Sequence, residues 1–224
     1  MCIRDRFLGA LRSGLAFCDV VFGWDLDDQL YDNTKYTGWH TAYPDAKLRI
    51  VPQTGRRLPL EQGPGGEDML LFLAEFEGDA GAICPRRLLH RTLDRAAGMG
   101  YDVYAALEYE FFMFRETPHS VRAKHYRNME NWTPGNFGYS MLRSTVEGDF
   151  YRKLLDMCER MDMPIEGLHT ETGPGVLEAA IAVDQAAAAG DKAFLFKTFT
   201  KALAQQNGLM ATFCLLYTSP SPRD

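Results

Sequence analysis

No run in the sequence approaches the eighteen or more apolar residues of a membrane-spanning helix, and the N-terminus has no secretory h-region with a cleavage site. A cytoplasmic protein is expected. Basic runs are missing too: 24 Lys and Arg face 30 Asp and Glu, for a net charge of −6, which argues against nucleic acid or an anionic membrane as the main partner. The five cysteines (Cys2, Cys18, Cys84, Cys158, Cys214) have no paired or CxxC spacing, so neither a disulfide framework nor a thiolate zinc site is suggested. There is no internal repeat. What remains is ordinary globular composition, 46% hydrophobic and 24% charged over 224 residues, enough for one large domain or two small ones.

The two ends depart from that composition. Met1 to Arg6 (MCIRDR) and Cys214 to Asp224 (CLLYTSPSPRD) resemble translated adapter read-through, and residues 1–6 and 214–224 are read as non-native segments outside the fold. A short basic leader and a flexible Ser/Pro-rich tail are the alternative. On the first reading the native protein continues past Phe213.

Residues 7–83 form a strand-like, turn-rich stretch with candidate strands at Ala16 to Gly23, Lys47 to Val51 and Met69 to Phe76. The character changes at Cys84. Pro85 suits a first helical position, and Leu88, Leu89, Leu93, Ala96 and Ala97 follow at helical spacing until Gly98 and Gly100. A strand is expected over Tyr101 to Phe114. The connection from Arg115 to about Thr145 is polar, aromatic-rich and too long for a simple turn, which marks it as functional. A helix through Phe150 to Cys158, with Asp149 as its cap, precedes strands at Met163 to Glu171 and Val176 to Val183. A last helix spans Gln185 to Gln206, capped by Asp184, with Phe194, Leu195, Phe199, Ala202 and Leu203 inward, and a further strand starts at Leu209. This order gives an α+β fold.

The chemistry lies in two carboxylate clusters. In Ala106 to Phe114 (ALEYEFFMF), period-two alternation puts Glu108 and Glu110 on one strand face together with Phe112 and Phe114, inside a strand that is apolar on both sides. Buried carboxylates without partners shift toward the neutral form, by up to ~3–5 pKa units. The second cluster is His169 to Glu178 (HTETGPGVLE). A two-residue turn at Pro174-Gly175 would set Glu171 directly opposite Glu178, with Cβ atoms about 5 Å apart, a destabilising pair unless a cation lies between them. Hard divalent ions such as Mg²⁺ and Mn²⁺ prefer such oxygen ligands to the softer sets that select zinc. Either cluster alone is an ordinary surface feature; together, with no nearby Arg or Lys, they favour a metal site.

At these residues the sequence resembles the glutamine synthetase family. Glu108-Tyr109-Glu110-Phe111-Phe112-Met113-Phe114 matches the E-x-E-F-F-hydrophobic-F motif, and His169 to Glu178 matches H-x-E-x-G-P-G-x-x-E. The resemblance covers about Cys84 to Phe213. It implies a β-grasp-like N-terminal domain over residues 7–83, followed over 84–213 by the first part of the catalytic domain, an antiparallel sheet with packed helices. It further implies that Glu110, Glu171 and Glu178 hold one Mg²⁺ or Mn²⁺ ion and that Glu108 contributes to a second beside ATP. Glu166 falls where the family has a nucleotide-contacting Glu, a solvated strand-edge acid being the alternative, and His169 falls where it would approach the γ-phosphate. An N-terminal Asp serving a neighbouring subunit would be Asp25, Asp27 or Asp28.

The implied reaction joins glutamate to ammonia or a small amine through γ-glutamyl phosphate, in a homo-oligomeric ring. The seven-residue step from Glu171 to Glu178 looks like the γ-glutamyl-polyamine and γ-glutamyl-methylamide synthetase branch. The family's later Gly-rich loop with its His, its Arg clamps and its final metal-binding Glu do not occur in this sequence, so no ligase activity is expected of the chain alone. Two other readings remain: a non-catalytic structural or regulatory relative, and a bare-carboxylate metal hydrolase.

Overall fold

A computed structural model describes residues 3–25, 29–31 and 35–214. In chain order the elements are α1 (Ile3–Ser13), β1 (Leu15–Cys18), β2 (Asp45–Ile50), β3 (Arg56–Gln62), β4 (Asp68–Leu71), β5 (Ala74–Phe76) and α2 (Pro85–Gly98). After these come β6 (Tyr104–Ala105), β7 (Glu108–Phe114), α3 (Pro118–Ala123), α4 (Met141–Val146) and α5 (Gly148–Arg160). The last are β8 (Ile165–Thr170), β9 (Val176–Ile181), β10 (Asp184–Gln185), α6 (Ala186–Gln206) and β11 (Met210–Thr212). No helix among the described residues is long and apolar enough to cross a membrane.

The chain divides into two compact units, Met1–Arg56 with Leu70–Val103 and Arg57–Met69 with Tyr104–Asp224. In the first, an antiparallel sheet of order β1-β2-β5 packs Phe76 against Phe22, Ala46 and Leu48. Helix α1 includes Ile3 to Arg6, part of the 1–6 segment read as non-native in the sequence. The strand expected through Gly23 stops at Cys18 and gives way to a 3-10 turn over Asp19–Phe22, where Thr37 donates a 2.7 Å hydrogen bond to the buried Asp19 carboxylate. Helix α2 begins at Pro85, whose missing N–H costs nothing in the first turn.

The second unit is built on a four-stranded antiparallel sheet of order β11-β7-β9-β8. One face of β7 lies under α6: Phe111 and Met113 are fully buried, Tyr109 stacks on Phe196 with ring centroids 5.7 Å apart, and Phe111 meets Phe196 edge-to-face at 6.1 Å. Burying each such ring contributes roughly 1.5–3 kcal/mol. The inward aromatic of α6 is therefore Phe196, whereas Phe194 is 58% exposed, contrary to the sequence expectation. Two cap assignments also move. Gln185, not Asp184, is the N-cap of α6, and Glu147, not Asp149, that of α5. Asp184 instead pairs with Lys192 at 2.7 Å, which satisfies a lysine that is 6% exposed. The strand expected from Tyr101 breaks at Ala106-Leu107 into β6 and β7.

The β8–β9 hairpin departs from a two-residue turn. Val176 N–H does bond Gly173 O at 3.3 Å, but the next ladder bond runs from Glu171 N–H to Val176 O at 3.0 Å. Thr172 and Gly173 are thus extra residues on the β8 side. Gly175 has φ +74°, and a Cβ there would sit 2.6 Å from Met113 O, so the close approach of the turn to β7 requires glycine.

Candidate metal centre

The ladder aligns Glu110 of β7 with Glu178 of β9, and Glu178 in turn with His169 of β8. Three strands therefore contribute one side chain each to a row running across the sheet. Glu108 lies two residues from Glu110, opposite Ala180, on the same face by alternation. The expected direct opposition of Glu171 and Glu178 does not occur: the two extra turn residues move the register, and His169 takes the place facing Glu178. A shift of two preserves the face. Glu171 remains in the cluster, diagonal to Glu178.

His169 stands between the two acids, Nδ1 at 3.9 Å from Glu171 Oε2 and Nε2 at 3.9 Å from Glu178 Oε2. One atom of each residue lies within 4.8 Å of the others. Burial pushes the Glu178 carboxyl pKa up; the His169 imidazole opposes that shift, and the charges of Glu108, Glu171 and Glu110 reinforce it. Glu171 shifts the other way, because hydrogen bonds from the Thr172 hydroxyl (2.8 Å) and from Tyr139 favour its charged form. No Arg or Lys among the described residues pairs with any of the four glutamates. Glu108 and Glu110 are exposed, so the burial expected for them holds only for the Phe112–Phe114 half of β7, where the two rings are 4% and 5% exposed.

Tyr139 is a member of the site that the sequence reading missed. Its backbone N–H bonds Thr170 O at 2.8 Å, and Ser140 N–H bonds the Thr170 hydroxyl at 2.8 Å. These anchors hold Tyr139 at φ +56°, a left-handed conformation uncommon for a bulky residue, with its ring 4.9 Å from that of His169. The hydrogen bond to Glu171, and then the charge of Glu171, push the Tyr139 phenol pKa up. The only signal in the sequence was the length and aromatic content of the Arg115–Thr145 connection.

Glu166 does not join the cluster. The β8–β9 register slips between Ile165 and Gly167, leaving Glu166 as the extra residue of a β-bulge on an edge strand, exposed to solvent. In the first unit, Asp25 closes a turn, its Oδ1 accepting Gln29 N–H at 2.9 Å; Asp27 and Asp28 lie outside the described residues.

Does the donor set fit a divalent cation? Glu171 Oε2 is a buried carboxylate oxygen with no hydrogen-bond partner, and it clusters with the Glu178 carboxylate and the His169 imidazole without a pairing Arg or Lys among the described residues. Oxygen-rich, anionic and partly dehydrated, the set suits Mg²⁺ or Mn²⁺.

Residues 82–220 match the family described as "Glutamine synthetase, catalytic domain". The chain belongs to the glutamine synthetase family. It is 40% identical over 213 residues to type-1 glutamine synthetase 2 of Dictyostelium discoideum, covering 94% of this chain and 40% of the relative. It is 29% identical over 204 residues to the glutamate–isopropylamine ligase of a Pseudomonas species, covering 91% of this chain and 44% of the relative. A solved structure described as a novel glutamine synthase homolog superimposes with a TM-score of 0.72 at 21% identity, over 93% of this chain and 45% of that one. The chain thus spans less than half the length of these glutamine synthetase-type ligases.

Proposed function

We propose that this chain is part of an ATP- and divalent-metal-dependent ligase that forms a γ-glutamyl amide from glutamate and ammonia or an amine. The observation that carries the reading is the transverse row Glu110–Glu178–His169, flanked on one face by Glu108 and Glu171 and holding a buried, unpartnered carboxylate oxygen. Glu110, Glu171 and Glu178 would hold one Mg²⁺ or Mn²⁺ ion, and Glu108 would contribute to a second. His169 and Glu166 are assigned to the nucleotide side.

A divalent ion supplies Lewis-acid charge that neutralises phosphate and carboxylate oxygens during acyl activation. The protein's own residues position and insulate. The ladder fixes the acids at strand spacing, Thr172 and Tyr139 keep Glu171 ionised, and the segment anchored on Thr170 carries Tyr139 over His169. The seven-residue Glu171–Glu178 step and the likeness to a ligase named for isopropylamine support an amine acceptor over ammonia. Residues 7–83 are assigned a β-grasp-like role, serving a neighbour's site in a cytoplasmic homo-oligomeric ring, with Asp25, Asp27 or Asp28 as the donated acid.

Amine-dependent ADP release by the longer protein containing this chain tests the reaction, with methylamine, isopropylamine and ammonium compared. Release that needs Mn²⁺ and disappears in Glu178→Gln supports the proposal. Release that ignores both the amine and the metal overturns it.

A further inference from the structure

The first compact unit holds a cavity of about 430 Å³ whose lining is dominated by cations. Arg49, Arg86, Arg87 and Arg91 face it together with His90, against two carboxylates, Glu75 and Asp94. The chain as a whole carries a net charge of −6, so this concentration of positive charge runs against the protein's overall balance.

Glu75 is 3% exposed and already claimed: Arg86 and Arg49 both pair with it, Arg49 at 2.8 Å, and His90 Nε2 lies at 3.7 Å. Glu77 adds no surplus negative charge, because it pairs with Lys47 at 3.1 Å as well as approaching Arg49 at 3.8 Å. Arg87 and Arg91 differ from Arg49 and Arg86. Both donate to backbone carbonyls: Arg87 to Phe76 O at 3.2 Å, and Arg91 to Gly81 O at 3.3 Å and Ala82 O at 2.9 Å. A carbonyl accepts a hydrogen bond but cancels no charge, and each guanidinium has five N–H donors. Four residues apart on α2, the two side chains start about 5–6 Å from each other on one helix face. The carbonyl contacts hold the guanidinium groups themselves and leave further N–H donors on each, which lowers the entropy lost on gripping a ligand.

We propose that this cavity is a binding site for a small phosphate-bearing anion, held by the Arg87 and Arg91 guanidinium groups. Planar guanidinium forks match tetrahedral oxyanions in bidentate fashion, and two of them one turn apart grip a phosphoryl group or a pyrophosphate. Asp94 lines the same cavity and sets an upper limit on affinity by repulsion.

Calorimetric titration of the chain with sodium pyrophosphate in EDTA-containing buffer tests the site, since chelation removes cations that would bridge phosphate to the glutamates. Saturable one-site binding is expected. Arg91→Gln should weaken it about tenfold, the loss of one charge-assisted contact. Asp94→Asn should tighten it about threefold as a like charge leaves, and it reads the site even should the Arg variant fold poorly. Absence of saturable binding, affinities unchanged in both variants, or loss of binding in chloride of equal ionic strength would each overturn the proposal.

Discussion

Glu110 and Glu178 face each other directly across the β7–β9 ladder, two carboxylates paired where a stable sheet favours opposite charges or apolar side chains. His169 continues the row on the far side of Glu178. The pairing destabilises the sheet in isolation and becomes sensible as one wall of a cation site.

Replacing Glu178 by Gln should therefore have opposite effects on stability and on binding. Without metal, relief of like-charge repulsion contributes about 0.2–1 kcal/mol, raising Tm by roughly 1–3 °C. Mn²⁺ affinity should fall by more than about a hundredfold, beyond the cost of losing an outer-shell partner. Calorimetry with Mn²⁺ and thermal melts in EDTA read the two effects. Unchanged Mn²⁺ binding in the Glu171→Gln, Glu178→Gln double variant would remove the metal assignment.

Tyr139 offers a spectroscopic check on the same cluster. Its phenol is held above the ordinary value chiefly by the hydrogen bond to Glu171, so Glu171→Gln should bring its titration back down. Ultraviolet absorbance of the phenolate follows it, with Tyr139→Phe identifying the transition. A titration that does not move in Glu171→Gln would show that the pair is not in contact.

Glu116 gives a pH prediction away from the site. Lys124 at 2.5 Å, the Ser120 hydroxyl at 2.6 Å and the Glu130 N–H at 2.8 Å bring its carboxyl pKa from 4.5 to about 2. The folded-state value lies below the unfolded one, so the contribution to stability is present above about pH 4.5 and is lost as pH falls toward about 2. Urea unfolding should show Glu116→Gln less stable than the parent chain near neutral pH, with the gap closing near pH 2. A gap independent of pH would argue for packing instead of charge.

Gly175→Ala should be costly for two reasons at once, a φ of +74° and a Cβ placed 2.6 Å from Met113 O. Strain of this kind costs about 1–3 kcal/mol, lowering Tm by roughly 3–10 °C. Since Gly175 also ties the turn to β7, Mn²⁺ affinity should fall with it, whereas Gly98→Ala, at the end of α2 with open space around the added Cβ, should leave Mn²⁺ affinity unchanged and should not lower Tm.

The acids were legible in the sequence because strand alternation is a strict period: Glu108 and Glu110 could only share a face with Phe112 and Phe114. Their register was not. Thr172 and Gly173 lengthen one arm of the hairpin, and nothing local distinguishes that from a tight turn at Pro174-Gly175; the approach of Gly175 to Met113, distant in sequence, decides it. The bulge at Glu166 was hidden for a similar reason, since a bulge has no signature within its own strand. On α6, Phe194 and Phe196 satisfy the helical pattern about equally well, and only the rings of Tyr109 and Phe111 select Phe196. Tyr139 owes its position to a left-handed backbone pinned by Thr170, a contact across 31 residues of sequence.

The crosswise row has a mechanical consequence. Its members are spaced by main-chain hydrogen bonds between neighbouring strands, not by flexible side-chain reach, so the acids stay crowded whether or not a guest is present. Like charges held this close by the backbone raise the energy of the sheet, and a cation bound between them, as proposed, would remove that repulsion and stiffen the ladder.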